Sequence, residues 1–519
     1  MATQGFWAPL TLRWGAARPV NDPKRTLASA SESTSVLTLT IPSVIPGPAQ
    51  QEPGISQPTP LDGSRQVARP GMTAVRSVRN TTLGSSAACL GAFSMTGRGF
   101  TQLLCVACAA AFPFMLDALT LNSHRAFAQA APASQGAGPR FRADGPNADE
   151  FGRKEGYPSC KGLAYADETR CRVGALSRYD TLFPARTITA PKQSIPLARA
   201  ASEPVIRYGF AGLELTLDDY LNRQPVTGLL IAKDNTILVE RYQYGRTDTD
   251  RLTSFSMAKS VVGLLIGIAL KEGAIGSVDD LAETYVPGLN DTEYGRTPIK
   301  ALLLMASGVA FSEDYADRSS DIGKLVRLTV EQGSAGGLAA VKQFNTRRDA
   351  PGVRFSYSSA ESLVLGLVLA AATKRTVSDY AAEKLWQPLG AEADATWIID
   401  ASGQEVTFGY VNAVLRDWAR LGLMLANRGN WQGKTVVPED WLTASAADAL
   451  ATDAPLVKYG YQIWYSADTR RFALRGLRGQ FVFVDPDLKL VLVQTALSGG
   501  PPETAELFAL WNALRAQVR

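Results

Sequence analysis

Between Met257 and Glu272 nearly every position around a helical turn is apolar: Val261, Val262, Leu264, Leu265, Ile266 and Ile268 leave no polar face, and Gly273 closes the run. A helix apolar all round has to be buried on every side, so the segments before and after it must wrap it. Before it, Thr227–Ala232 and Thr236–Tyr242 are β-rich runs around a Lys233-Asp234-Asn235 turn, a hairpin signal. After it, helical periodicity recurs at 298–306, 361–373, 378–386 and 412–427. Strand pattern returns at Phe472–Leu474, Gln480–Val484 and Lys489–Gln494, with Asp485-Pro486-Asp487 turning between the last two, and 503–518 reads as a closing helix. Strands at both ends with helices between them predict one α+β unit, an antiparallel sheet flanked by helices with an inserted, mostly helical subdomain.

The first 128 residues follow other rules. Residues 1–71 are rich in Pro, Ser, Thr, Gln and Gly and show no sustained period, so 1–94 is expected to be a disordered leader, or an untranslated one, since Met72 and Met95 are both available as later starts. From Met95 the order is Arg98, an apolar run Leu103–Leu116, then Ala126-Phe127-Ala128, the layout of a secretory signal peptide over 95–128. The run falls short of the ~20 residues of a membrane span, and Pro113 and Asp117 interrupt it. A buried core helix is the remaining alternative, and the flanks argue against it.

Cleavage there predicts a periplasmic or secreted protein with no stable membrane span. It also changes the arithmetic of the 519-residue chain. The leader holds 10 Lys+Arg against 5 Asp+Glu, so the formal charge of +4 leaves with it, and no general electrostatic case for a nucleic-acid partner survives. His124, the only histidine, leaves as well. Whatever chemistry remains must use other bases. Residues 129–205, with many Pro, Gly and Arg, read as an irregular extension packed on a main domain at 206–519. In an exported protein its Cys160 and Cys171, with ten residues between them, are expected to form a disulfide, two free thiols being the alternative.

Ser256-Met257-Ala258-Lys259 heads the apolar helix. Residues three apart share a helix face, so the Lys259 amine can reach the Ser256 hydroxyl. A partly buried lysine with a lowered pKa can take the proton that keeps serine a poor nucleophile. The helix N-terminus adds backbone N–H groups where an oxyanion would form. With 15 lysines in the chain about one Ser-x-x-Lys arises by chance, and an ordinary helix-capping serine is the plain alternative. Tyr357, in Pro351-Gly352-Val353-Arg354-Phe355-Ser356-Tyr357-Ser358-Ser359, lies on a turn where a phenol could share a proton with the pair; alone it reads equally as a packed aromatic. In Arg475-Gly476-Leu477-Arg478-Gly479-Gln480, glycine permits close backbone approach, which makes the Leu477 N–H a second oxyanion donor; a plain glycine bulge is the alternative.

Ser-x-x-Lys, Tyr-x-Ser about 100 residues later and a glycine-containing strand about 120 residues after that resemble, in this order, the serine β-lactamase and penicillin-binding-protein superfamily. Within it the chain resembles the 6-aminohexanoate-dimer hydrolase and β-lactamase-related esterase branch, on Ser256-Met257-Ala258-Lys259-Ser260, Phe311-Ser312-Glu313-Asp314-Tyr315, Tyr357-Ser358-Ser359-Ala360, and Gly476-Leu477-Arg478-Gly479-Gln480 followed by Val484-Asp485-Pro486. The likeness spans roughly 205–519 and implies a β-lactamase/transpeptidase-like fold.

It also implies roles. Ser256 would be the acylated nucleophile, Lys259 its general base and Tyr357 the proton relay to the leaving group, with the N–H groups of Ser256 and Leu477 as oxyanion hole. Tyr315 matches a tyrosine over the cleft that contacts an amide substrate, an exposed loop aromatic being the alternative. Such an enzyme cleaves a small ester or amide and needs no metal or organic cofactor. Three positions depart from the pattern. Leu474-Arg475-Gly476 replaces the Lys-Thr-Gly of penicillin-recognising members and argues against the runner-up, a D,D-peptidase or β-lactamase. Arg478 stands where the nylon-oligomer branch has histidine and remains able to hold a substrate carboxylate. Ser359 replaces the asparagine of Tyr-x-Asn. A non-catalytic penicillin-binding-like protein would be expected to lack Ser256, Lys259 or Tyr357, and all three are present.

Overall fold

The computed structural model describes residues 140–519 except 332, 499, 500 and 519, with 501–503 described by their backbone alone. The leader at 1–94, the signal peptide at 95–128 and residues 129–139 of the extension lie outside the described residues. No described helix is long and apolar enough to cross a membrane.

The predicted hairpin is formed by β1 (Val226–Lys233) and β2 (Thr236–Tyr242), with Asp234 and Asn235 both at positive φ, 48° and 63°, as a tight two-residue turn requires. The chain returns to the same sheet through β3 (Val457–Gly460), β4 (Ile463–Ser466), β5 (Phe472–Gly476), β6 (Gln480–Asp485) and β7 (Leu490–Ala496). The last of these pairs antiparallel with β1, so the two ends of the domain meet in mid-sheet. Short edge strands at Leu450–Ala451 and Ala198–Arg199 complete nine strands, all antiparallel except the pairing of Ala198–Arg199 with β2.

Alternation along β1 buries both sheet faces. Leu229 and Ile231 join Phe481, Phe483 and Leu492 beneath the closing helix 501–517 (Leu507, Leu510, Trp511). Leu230 and Ala232 face the other way, with Val482, Val484 and Val493, into the larger core. That core is built around the all-apolar helix α1 (Met257–Lys271), of which every residue from Met257 to Ala269 is buried. Packed with it are α2 (Ser359–Thr373) and α3 (Leu415–Ala426).

The α+β class stands, with more sheet than the sequence pattern shows. A second, four-stranded sheet joins Ala185–Ile188, Ala395–Ile398, Val411–Ala413 and Leu252–Thr253 in that order. The helix expected over 412–427 is therefore strand as far as Ala413 and helix from Leu415. The one at 298–306 shortens to Ile299–Leu303, and that at 378–386 is an α-turn, Val377–Ala381, running into a π-turn, Ala382–Trp386. From the extension, Tyr165, Cys171, Val173 and Tyr179 are buried in the larger core. The Cys160 and Cys171 sulfurs are bonded, with Cα atoms 5.7 Å apart.

Candidate active site

Ser256 occupies the N-cap position of α1, where a serine ordinarily accepts a hydrogen bond from a backbone N–H of the first turn. Its side chain makes no such bond. The hydroxyl instead accepts from Lys259 Nζ at 3.0 Å and hydrogen-bonds the Tyr357 phenol. This separates the site from an ordinary helix cap. The turn that presents it is held under strain: Phe255 has φ 43°, in the left-handed region that bulky residues avoid. Ser254 pins that turn to the second sheet, its N–H donating to the Val411 carbonyl at 2.8 Å while its Oγ accepts from the Val411 N–H at 3.0 Å.

Lys259 is 1% exposed. Its Nζ donates to the Phe408 carbonyl at 2.6 Å and to Ser359 Oγ at 3.1 Å, besides Ser256. Burial lowers its pKa to about 8, against a smaller raising effect of the Glu313 carboxylate. The ammonium also lies 5.3 Å from the centre of the Tyr357 ring. Tyr357 is stacked on Trp464 with ring centroids 5.4 Å apart and meets the edge of Tyr459. Burial pushes its phenol up, as does the Glu313 charge, while the Ser256 hydrogen bond and the Arg475 charge pull it down.

The structure thus brings Ser256, Lys259 and Tyr357 together. Ser256, Leu477, Tyr315 and Arg478 line one cavity of about 820 Å³. Leu477 is 38% exposed at its wall. Tyr315 is 45% exposed, yet its hydroxyl end is enclosed and donates to Glu313 Oε1 at 2.5 Å. Burial, then the Glu313 charge, raises that phenol's pKa. Gly476 has a different reason from the one its sequence suggests: a Cβ there would lie 2.1 Å from the Ser254 carbonyl oxygen, so the close approach is to the turn that presents Ser256.

Three residues without a role in the sequence reading belong to the site. Glu313 accepts from the Ser359 N–H at 2.9 Å and from its Oγ at 2.5 Å. Ser359, marked in the sequence only as a departure, therefore bridges lysine and carboxylate. Arg475 lies 4.8 Å from the Trp464 ring, and its burial lowers its pKa to about 10. Among the described residues, the only cluster of three potential metal ligands is Cys160, Glu168 and Cys171, and its sulfurs are spent in the disulfide.

An α+β fold of this topology with a Ser-x-x-Lys pair and a tyrosine on one hydroxyl defines the hydrolases of the β-lactamase and penicillin-binding-protein superfamily. Residues 214–515 match the Beta-lactamase family, and the chain belongs to it. A curated relative is the 6-aminohexanoate-dimer hydrolase of Paenarthrobacter ureafaciens, 27% identical over 359 residues, which cover 66% of this chain and 88% of that one. A solved structure from Bacillus anthracis, assigned by inference as a 6-aminohexanoate-dimer hydrolase, superposes with a TM-score of 0.63 at 20% identity, covering 70% of this chain and 97% of its own. At that identity the superposition speaks for the fold alone.

Proposed function

We propose that this chain is an exported serine hydrolase that cleaves an ester or amide bond of a small or linear substrate through an acyl-enzyme on Ser256. The observation that carries the reading is the Lys259 amine, buried, lowered to about pKa 8 and 3.0 Å from a serine hydroxyl that caps no helix. With a pKa of about 8, roughly a tenth of Lys259 is neutral at pH 7 and able to take the serine proton. The alkoxide attacks the substrate carbonyl while the N–H groups of Ser256 and Leu477 receive the developing oxyanion. Tyr357, on the same hydroxyl, passes a proton to the departing alcohol or amine. Water then releases the acyl group, with the same groups working in reverse.

No step calls on a metal or organic cofactor, and the partner is a small molecule rather than nucleic acid. Export is supported by the signal-like layout of 95–128 and by the Cys160–Cys171 bond, which persists best in an oxidising compartment. N-terminal sequencing of the exported form tests it: a mature chain beginning at Met1 would refute cleavage.

Ser256→Ala is the direct test of the chemistry. Hydrolysis of p-nitrophenyl esters should fall to background in a protein that still folds, and equal activity would sink the mechanism. Linear 6-aminohexanoate dimer, the substrate named for the curated relative, and nitrocefin belong in the same screen. Turnover of nitrocefin above that of esters would favour the β-lactamase reading instead.

A further inference from the structure

The cavity that holds Ser256 is lined by four arginines, Arg172, Arg318, Arg327 and Arg478, against two carboxylates, Asp167 and Glu331. Two of the four differ from the rest in how they are held. Arg172 directly follows the disulfide-bonded Cys171, and Arg478 sits in the turn between β5 and β6, one residue beyond Leu477. Their Nη2 atoms converge on a single neutral acceptor, the Ala166 carbonyl, at 3.5 Å each. Arg172 adds only a 3.4 Å contact from Nε to the Tyr165 carbonyl, and Arg478 Nε is buried with no hydrogen-bond partner. Among the described residues neither forms a salt bridge: Asp167, the nearby carboxylate, is paired with Arg318.

Two half-buried guanidiniums that share one carbonyl, each lowered in pKa by burial and with the Arg172 charge acting against Arg478, are costly unless an anion joins them. The backbone adds to that cost. Arg478 has φ 62°, a left-handed conformation natural for glycine and strained for a residue that carries a Cβ. A charge held in a strained turn, unpaired, beside a nucleophile marks a position kept for a ligand rather than for the fold.

Resting on the hydrolase reading above, we infer that Arg172 and Arg478 form a carboxylate subsite, and that the substrates are esters or amides bearing a free carboxylate some distance from the bond cleaved. A carboxylate between them gains charge-assisted hydrogen bonds from two planar donors and satisfies the orphaned Nε. The carboxylate belongs either to the acyl half or to the leaving half of the substrate, and the assay separates the two.

Two pairs of esters test this: mono-p-nitrophenyl adipate against p-nitrophenyl hexanoate for the acyl half, and 5-carboxypentyl butyrate against hexyl butyrate for the leaving half. The mature exported enzyme should prefer the carboxylated member of at least one pair by tenfold or more in kcat/KM. Arg478→Gly, which relieves the backbone, and Arg172→Gln should each reduce that ratio at least fivefold, chiefly through KM. Ratios near one for both pairs, or ratios indifferent to both variants, overturn the subsite. Adipate binding to the Ser256→Ala protein, followed by calorimetry, reads the subsite without turnover. Saturable binding weakened at least fivefold by Arg478→Gly supports it, and no saturable binding overturns it. Adipate binding without any Ser256-dependent turnover would instead refute the hydrolase reading and leave the subsite standing.

Discussion

Lys259 and Glu313 are joined through one hydroxyl: Ser359 Oγ accepts from Lys259 Nζ at 3.1 Å and donates to Glu313 Oε1 at 2.5 Å. Tyr315 donates to the same carboxylate oxygen, so a loop over the cleft is tied to Lys259 at the head of α1. The Glu313 charge opposes the effect of burial on Lys259 and keeps its pKa from falling further. We expect Glu313→Gln to move the acid limb of the pH–rate profile to lower pH, because the lysine then loses its proton more readily. The maximal rate should drop roughly tenfold as the bridge loosens, less than the ~10²–10⁴-fold of losing the base itself. A profile that keeps its midpoint would show that Glu313 does not act through Lys259.

On the proposed mechanism the neutral Lys259 amine is the active form, so kcat/KM for a neutral ester should rise tenfold per pH unit below about pH 8 and level off above it. Stability carries the same signature with its own sign. The folded pKa of about 8 lies below the ordinary 10.5, so the unfolded chain binds the proton more tightly, and the penalty is complete below pH 8 and fades as pH rises towards 10.5. Lys259→Met should therefore abolish activity yet stabilise the fold at pH 7 by roughly 1–3 kcal/mol, with the gain shrinking above pH 8 and mostly gone by pH 10. Urea melts at pH 7 and pH 10 measure both, and a destabilised variant at pH 7 would contradict the burial argument.

Gly476→Ala puts a methyl 2.1 Å from the Ser254 carbonyl oxygen, two residues before Ser256. Either β5 or the Ser254–Ser256 turn must shift. The expected stability cost is about 1–3 kcal/mol, whereas kcat should fall a hundredfold or more, because the Ser256 and Leu477 N–H groups proposed to hold the oxyanion would shift relative to each other. Thermal melts beside ester kinetics separate the two effects. Near-wild-type kcat would mean that the close approach serves packing alone.

What the sequence reveals of this site follows how local each contact is. Ser256 and Lys259 are one helical turn apart, so their pairing is written in the spacing. Tyr357 comes from a loop about 100 residues on and is legible only through the order of motifs. Glu313 and Ser359 are 46 residues apart and meet because the loop after Phe311 folds back over the start of α2, which no periodicity reports. Arg172 lies in a segment whose composition reads as irregular, and only the folded chain puts it beside Arg478. The same holds for the fold. The nine-stranded sheet is announced by runs such as Leu490–Ala496, while Leu252–Thr253 and Val411–Ala413 are too short to show a period of two, and the apolar residues of the latter continue the helical pattern of α3.

The disulfide offers a last separation of stability from specificity. Closing the short loop between Cys160 and Cys171 constrains the unfolded chain, and its loss should cost about 3 kcal/mol. That loop also carries Tyr165, Ala166 and Asp167, which line the cavity, and Arg172 leaves directly from its closing cysteine. The contacts among Ser256, Lys259 and Tyr357 involve none of these residues. Cys160→Ser with Cys171→Ser should therefore lower the denaturation midpoint and raise KM for carboxylated esters, because Arg172 and the Ala166 carbonyl are no longer held in place, while kcat for a neutral ester changes much less. Kinetics below the lowered midpoint, with and without reductant on the wild type, make the comparison. A parallel fall of kcat on both kinds of ester would show that the loop supports the nucleophile's turn itself, through the packing of Tyr165 and Tyr179 on Phe255, rather than the far end of the cleft.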